Sequence, residues 1–222
     1  MANKKGISII TALKKYELNQ TQLVAVEAIR NNKITILRGQ AGTAKSFTSV
    51  YAAMKLLSEG STDRIALTRP MVTTEDMGYL PGDIGEKLDP YLYPVINFFN
   101  KLGDAGERTF ESLVVAGKIR RAPIAFMRGS TIEDEILIVD EAQNIKVPQM
   151  LMILTRLGKN GKIIITGDED QNDLGRGVTG LDCAIKLSEK LPYIQNIVMT
   201  ENMRDETLNE IIENWQLITA SI

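Results

Sequence analysis

The stretch KITILRGQAGTAKS, residues 33–46, decides the fold of this chain. It opens with a β-branched and aliphatic run that predicts a strand over residues 33–38. A glycine-rich loop follows at once, and a helical pattern begins at Lys45 and ends at the Glu59-Gly60 stop signal. A strand, a glycine-rich loop and a helix in this order are typical of a phosphate-binding loop, where backbone N–H groups and the helix N-terminus surround the anion.

The loop predicts which residues contact a nucleotide and its metal ion. Lys45 is expected to neutralise the β- and γ-phosphates, and Ser46 is expected to bind Mg²⁺. The predicted nucleotide contacts from this segment are Gly39, Gln40, Ala41, Gly42, Thr43, Ala44, Lys45, Ser46 and Phe47.

Ala44 stands where the pattern G-x-x-x-x-G-K-[ST] has its second glycine. If the loop requires a left-handed residue there, alanine costs about 1–2 kcal/mol, so a reshaped loop or weaker nucleotide binding is expected. The alternative to a phosphate loop is a chance glycine-rich turn before a helix. The carboxylates that follow later in the chain weaken that alternative.

Asp140 and Glu141 end the apolar run of residues 135–140 and supply the second half of the predicted site. Asp140 is expected to hold Mg²⁺, directly or through water. Glu141 is expected to orient and deprotonate the attacking water. The sequence has no N-K-x-D guanine motif, which favours ATP over GTP. The alternative is that two acids merely cap the end of a strand.

Gln171 and Gln22 complete the predicted nucleotide site. Gln171 follows a buried strand predicted over residues 162–166 and is placed to sense the γ-phosphate, with Asp168 positioning it or touching the metal shell; a simple Gly-Asp turn is the alternative. Gln22 lies in the first turn of a helix and is placed to contact the adenine edge. Asn19 and Gln22 also fit a capping box, so a structural role is the alternative there.

Short β-rich runs alternate with helical patterns along the chain. This alternation predicts an α/β fold, a mostly parallel sheet covered by helices in three layers, with ligands at the carboxyl ends of the strands. Further strands are expected over residues 64–68, 122–127 and 195–199, and further helices over 91–102, from near Pro148, around Cys183 and over 206–218. The last helix carries an apolar face that is expected to be core or partner-facing. We expect one domain over residues 1–222, with an N-terminal extension over 1–17 and a long functional loop over 70–90.

Composition limits the chemistry. The 222 residues include no histidine and one cysteine, so acid–base chemistry falls to carboxylates, and an internal disulfide or a cysteine-based zinc cluster is excluded. No apolar run approaches the roughly 18 residues of a membrane span, and no signal peptide is recognisable, so a cytoplasmic location is expected. A net charge of −2 means that nucleic acid, if bound, would be held by local loops.

The order of the motifs resembles the core of superfamily-one helicases. The shared motifs are L-N-x-x-Q at residues 18–22, the phosphate loop, T-R-P at 68–70, D-E-A-Q at 140–143 and G-D-x-x-Q at 167–171. More narrowly, L-P-G-D at 80–83 and M-R-G at 127–129 resemble the PhoH family of phosphate-starvation-inducible ATPases from bacteria and phages, and the resemblance covers residues 18–215. Ser130 replaces a second arginine after M-R-G, and the stretch around Arg204 lacks a histidine that the family carries.

The resemblance implies an ATPase with a single RecA-like domain that binds ATP and Mg²⁺, located in the host cytoplasm if a phage encodes it. Two-domain helicases supply a catalytic arginine from their second domain, and arginine fingers accelerate reactions by about 10³–10⁵. A homo-oligomeric ring, hexameric as in this family, is therefore expected, with Arg128, Arg156 or Arg204 reaching a neighbour's nucleotide. The alternative for Arg128 and Arg156 is that they only stabilise local loops.

Single-stranded RNA or DNA is the partner that the resemblance implies. Helicases contact strand phosphates with the loop equivalent to Thr68, Arg69 and Pro70, and Tyr79 is placed to stack on a base, a contact worth about 1–3 kcal/mol. Tyr79 packing beneath its own loop is the alternative. A second reading of the function is a nucleotide-controlled scaffold or regulator with slow hydrolysis and a protein partner. Ala44, the modest charge and the lack of a second motor domain favour it.

Overall fold

The computed structural model of the chain describes residues 13–71, 88–175, 177–203 and 207–220. Within 207–220, side chains are described at positions 207, 210, 211, 214, 215, 217 and 218. Tyr79, Arg204 and most of the predicted 70–90 loop lie outside the described residues, as does most of the 1–17 extension.

A six-stranded parallel sheet in the order β3-β2-β4-β5-β1-β6 forms the centre of the fold. Its strands are β1 (Ile34–Arg38), β2 (Arg64–Thr68), β3 (Ile119–Arg121), β4 (Glu135–Val139), β5 (Lys162–Gly167) and β6 (Ile194–Val198). The strand before the glycine-rich loop, β1, and the strand before the two acids, β4, are separated by β5. The end of β5 therefore lies between the loop and the acids.

Helices cover both faces of this sheet. In the described ranges they are α1 (Gln20–Asn31), α2 (Lys45–Ser58), α3 (Asp89–Leu102), α4 (Thr109–Val115), α5 (Val147–Leu154), α6 (Gly180–Ser188) and α7 (Thr207–Ala220). None of the helices in the described ranges has the length and apolar character needed to cross a bilayer.

The alternation of side chains along β4 separates two hydrophobic cores. Ile136 and Ile138 join the core formed with α1 to α4, whereas Leu137 and Val139 join the core formed with α5 and α6. All of these side chains are buried, which explains the nearly unbroken apolar run in the sequence. The predicted three-layer α/β fold is confirmed. Because both faces of the sheet are covered, the strand ends remain as the place for a ligand.

The strand predicted over residues 122–127 is wrong. The strand lies earlier, at Ile119–Arg121, and Ile124–Phe126 forms a 3₁₀ turn. The ladder ends where the Ala122 N–H bonds the Leu67 carbonyl, because Pro123 has no N–H to continue it. The aliphatic residues that suggested a strand thus belong to the turn that follows it.

The other predicted elements are confirmed to within two residues at the strand ends and helix starts. Among the residues of the last helix with described side chains, Ile211 and Trp215 are mostly exposed, so its apolar face is not core. Cys183 lies on α6, where a helix was expected, and is partly buried.

A buried carboxylate paired with a partly exposed arginine anchors β4 at the end opposite to Asp140. Glu135 is 1% exposed and accepts hydrogen bonds from Arg120 Nε at 2.7 Å and Nη2 at 2.6 Å. These bonds raise the pKa of Arg120 and keep it charged. Arg64 reaches the same carboxylate only at 3.6 Å and is half exposed.

Replacing Arg120 by methionine should lower the free energy of unfolding by about 3 kcal/mol, because a buried carboxylate loses its bidentate partner. Urea denaturation measures the change. Arg64→Met is the matched control, and it should lower the free energy by less than about 1 kcal/mol because Arg64 is exposed. Equal losses in the two variants would contradict this account of β4.

Candidate nucleotide-binding site

A cleft of about 710 Å³ opens at the carboxyl ends of the strands. We call it the main cleft. It brings together residues that are far apart in the chain and that the sequence assigned to one nucleotide site: Gln22, Ala41, Gly42, Ala44, Lys45, Ser46, Phe47, Asp140, Glu141 and Gln171. Gly39, Gln40 and Thr43 belong to the same loop without lining the cleft itself.

The glycine-rich loop has the sharp backbone turns of a phosphate loop. Gly39 has φ of 148°, and a Cβ there would lie 2.1 Å from the Met199 carbonyl oxygen, so no side chain fits. The loop is closed by its own lysine, since Lys45 Nζ donates to the carbonyls of Gly39 at 2.5 Å and Gln40 at 2.8 Å. The ammonium group is thereby held at the loop, as a group that binds phosphates must be.

Ala44 adopts the left-handed conformation that a glycine usually supplies, with φ of 58° and ψ of 27°. The loop therefore retains its turn and is not reshaped by the alanine, at a cost of about 1–2 kcal/mol of strain. Hydrogen bonds from Thr48 to the Ala44 carbonyl, from its N–H at 2.9 Å and its hydroxyl at 2.8 Å, start α2 directly after this residue.

A hydrogen bond joins the loop side of the site to the acid side. Ser46 Oγ donates to Asp140 Oδ1 at 2.7 Å, and Thr166 Oγ1 donates to the same oxygen at 2.6 Å. Asp140 is almost fully buried. A hydroxyl and a carboxylate at this distance fit Mg²⁺, which is bound by one or two carboxylates together with substrate phosphates. Thr166 escaped the sequence analysis because threonine at a strand end has no distinctive pattern.

Glu141 is turned out of the strand direction by a left-handed backbone, with φ of 54°. Its Oε2 accepts from Gln143 Nε2 at 2.5 Å, and Gln143 Oε1 accepts from the Asp168 N–H at 3.1 Å. Gln143, which is fully buried, therefore ties the acid after β4 to the end of β5. The D-E-A-Q motif contained this residue, but nothing in the sequence assigned it this contact.

Gln171 is held in the main cleft by Asp168. Asp168 Oδ2 accepts from Gln171 Nε2 at 2.8 Å, and its Oδ1 accepts from the Asp170 N–H at 3.1 Å. Burial raises the pKa of Asp168, and the nearby Lys45 partly offsets this effect. This contact fits the first of the two roles predicted for Asp168, positioning Gln171, and a contact with the metal shell stays a prediction.

Gln22 forms the capping box that was the structural alternative. Its N–H bonds Asn19 Oδ1 at 2.8 Å, and its Oε1 accepts from the Asn19 N–H at 3.0 Å. Gln22 nevertheless lines the main cleft, so the adenine contact stays a prediction. Phe47 forms an aromatic wall beside it, with ring centroids 5.6 Å from Tyr16 and 5.8 Å from Phe98. Tyr16 and Phe98 were not identified from the sequence.

Arg69 lies against both acids. Its Nη1 is 3.5 Å from Asp140 Oδ2, and its Nη2 is 3.6 Å from Glu141 Oε1. The sequence assigned Arg69 to nucleic acid, but here its guanidinium reaches the main cleft. It also lines a second cleft of about 600 Å³, together with Pro70, Tyr91, Glu141 and residues 170–173. Thr68 and Pro70 are both buried, so any polymer contact of this segment falls to Arg69.

Arg128 and Arg156 lie away from both clefts. Arg128 is exposed beside the turn that follows β3. Arg156 is partly buried near the amino ends of the strands, where its carbonyl accepts from the Ile132 N–H at 2.8 Å. Neither arginine is placed to act on its own chain's nucleotide, and their action on a neighbour stays a prediction.

The model of the family described as PhoH-like protein matches residues 14–216. The chain belongs to the PhoH family. It is 41% identical over 218 residues to the PhoH-like protein of Bacillus subtilis, covering 96% of this chain and 66% of that protein. It is 41% identical over 174 residues to Protein PhoH of Escherichia coli K12, covering 78% of this chain and 49% of that protein.

The PhoH-family chain thus spans about half to two thirds of the length of these relatives. Among solved structures, Pif1 helicase from Candida albicans matches with a TM-score of 0.48 at 15% identity, over 90% of this chain and 44% of that one. Family membership, together with the loop and acid geometry, makes this PhoH-family member a P-loop NTPase-type protein.

Ala44→Gly should raise the free energy of unfolding by about 0.5–1 kcal/mol, because relief of left-handed strain exceeds the extra entropy of the unfolded chain. Urea denaturation without nucleotide checks this. Ala53→Gly in the interior of α2 is the matched control and should lower the free energy by about 1 kcal/mol or more, since that position is helical. A fall of similar size in both variants would show that Ala44 is unstrained.

Proposed function

We propose that this PhoH-family protein binds and hydrolyses ATP with Mg²⁺, and that as an oligomer it acts on single-stranded nucleic acid. The observation that carries the proposal is the hydrogen bond between Ser46 and Asp140. It places the phosphate loop and the acid pair in one cleft, with Glu141 and Gln171 beside them. That combination has the parts needed to hold a nucleoside triphosphate and activate a water.

Each residue of the main cleft has a distinct role in the proposed reaction. The loop N–H groups and Lys45 bind the phosphates, and Ser46 and Asp140 hold Mg²⁺, which when bound neutralises phosphate charge. Glu141 takes the proton of the attacking water. Gln171, fixed by Asp168, contacts the γ-phosphate side.

Adenine is the proposed base. Gln22 and Phe47 line the same cleft as the phosphate loop, and the aromatic wall around Phe47 offers an apolar face to a planar ring. The side-chain amide of Gln22 can form further hydrogen bonds, because the cap uses one of the two lone pairs on its oxygen and neither of the two hydrogens on its nitrogen.

Nucleic acid is proposed as the partner because Arg69 follows β2 at the edge of the sheet where the two clefts open.

A regulator with slow hydrolysis and a protein partner is the second candidate, and the charge of the second cleft favours it. Three acidic residues line that cleft, Glu141, Asp170 and Asp173, and Arg69 is the one basic residue among its lining residues. The cleft therefore repels phosphates and attracts basic groups.

A homo-oligomeric ring, hexameric as the resemblance implies, is proposed because Arg128 and Arg156 lie away from both clefts of their own chain, as an arginine that serves a neighbour's nucleotide would. A Lys45→Ala subunit can still lend an arginine to a neighbour. The Lys45→Ala subunit is mixed in turn with an Arg128→Ala, an Arg156→Ala or an Arg204→Ala subunit. Turnover should return only in the mixture whose replaced arginine is the one that acts in trans. Turnover proportional to subunit concentration, with no assembly in light scattering and no restoration in any mixture, would refute the ring.

Glu141→Gln should lower ATP turnover by at least about 100-fold while ATP still binds, because the variant loses its general base. Glu169→Gln is the matched control at the neighbouring strand end, where Glu169 pairs with Arg38 outside the cleft, and turnover should not change. Phosphate release with and without single-stranded RNA measures both. Stimulation by RNA supports the nucleic-acid role, whereas no stimulation and no RNA binding at low salt support the regulator.

A further inference from the structure

Arg69 places a positive charge beside both acids of the pair. Asp140 Oδ1 is occupied by the hydroxyls of Ser46 and Thr166, whereas its Oδ2 faces the Arg69 guanidinium at 3.5 Å. The guanidinium is 23% exposed and Asp140 only 3%, so the pair is largely shielded from solvent. Water screens such a contact weakly, and the attraction is correspondingly strong.

A positive charge beside a carboxylate weakens the binding of every other cation to it. Two positive charges held a few ångströms apart repel each other, and this repulsion lowers the affinity of the carboxylate for the second cation. A divalent ion at Asp140 meets the same repulsion. Arg69 thus disfavours a metal ion until the phosphates of a nucleotide add negative charge to the cleft.

The same side chain also orients Glu141. Gln143 donates to Oε2 of that carboxylate, and Arg69 Nη2 faces Oε1 at 3.6 Å. The carboxylate is therefore held between an amide and a guanidinium. Separate nitrogens of the fork serve the two acids, Nη1 for Asp140 and Nη2 for Glu141, and the single ammonium of a lysine cannot reproduce this arrangement.

We propose that Arg69 is a positioning residue with two effects: it competes with the divalent cation for Asp140, and it holds Glu141 in the main cleft. The inference rests on the proposed function for its second effect. The first effect concerns the empty protein and needs no nucleotide.

The test uses Arg69→Gln, which removes the charge, and Arg69→Lys, which keeps the charge but loses the fork. Mn²⁺ binding to the nucleotide-free protein, followed by electron paramagnetic resonance, should tighten by about tenfold in Arg69→Gln, because the Coulomb repulsion is removed, and stay near the wild-type value in Arg69→Lys. The kcat for ATP should fall in both variants, because neither holds both acids.

Arg38→Gln is the matched control. Arg38 ends the neighbouring strand β1 and bonds Glu169 and Asn196 without touching Asp140 or Glu141. Its Mn²⁺ affinity and its kcat should match those of the wild type, so a change there would show that loss of any arginine at this edge has the same effect.

Unchanged or weaker Mn²⁺ binding in Arg69→Gln would overturn the competition, and an unchanged kcat in both Arg69 variants would overturn the positioning of Glu141. A wild type that binds Mn²⁺ but does not turn over ATP sinks the proposed function while the Mn²⁺ titration still decides the competition. A thermal melt of each variant checks folding, and Arg69→Lys keeps the test valid if Arg69→Gln does not fold.

Discussion

The burial of β4 and β5 on both faces is the constraint on which the rest of the molecule depends. Their side chains enter two separate hydrophobic cores, so helices must cover the sheet above and below. Polar side chains of these strands can then reach a ligand or solvent only at the strand ends. Parallel strand direction gathers these ends at one edge, and the phosphate loop, the acid pair and Gln171 meet there for that reason.

The chain turns sharply at this edge, and it does so through left-handed residues. Ala44 starts α2 and Glu141 leaves β4 with positive φ, although neither is glycine. Residues held in such conformations persist where surrounding contacts enforce them, and they concentrate at functional sites. In this case the enforcing contacts are the two Thr48 hydrogen bonds on the Ala44 carbonyl and the Gln143 side chain on Glu141.

The sequence allows the fold and most of the cleft to be predicted because both arise from local patterns. Buried strands appear as continuous apolar runs, and the loop and acid pair are short motifs. The edge strand β3 was misplaced because its Arg120 and Arg121 are polar, and their partners Glu135 and Asp89 lie elsewhere in the chain. An edge strand has one side without a neighbouring strand, so it does not need an apolar run.

Side-chain pairs that are distant in sequence were beyond prediction for the same reason. Nothing in the local pattern around Arg69 indicates that it meets residues 140 and 141, and nothing around Gln143 indicates Asp168. Gln22 shows the opposite limit. The sequence suggested both a cap and a base contact, and the structure shows that the cap forms without removing Gln22 from the cleft.

The position of Arg69 between two clefts has a thermodynamic consequence. One guanidinium lines both spaces, so a ligand of the second cleft that changes the contact of Arg69 with Asp140 changes the free energy of loading the main cleft. Linkage makes this relation reciprocal: loading the main cleft alters the affinity of the second cleft by the same factor. One side chain shared by the two clefts is therefore enough to couple their binding free energies, and this coupling does not require the sheet to move.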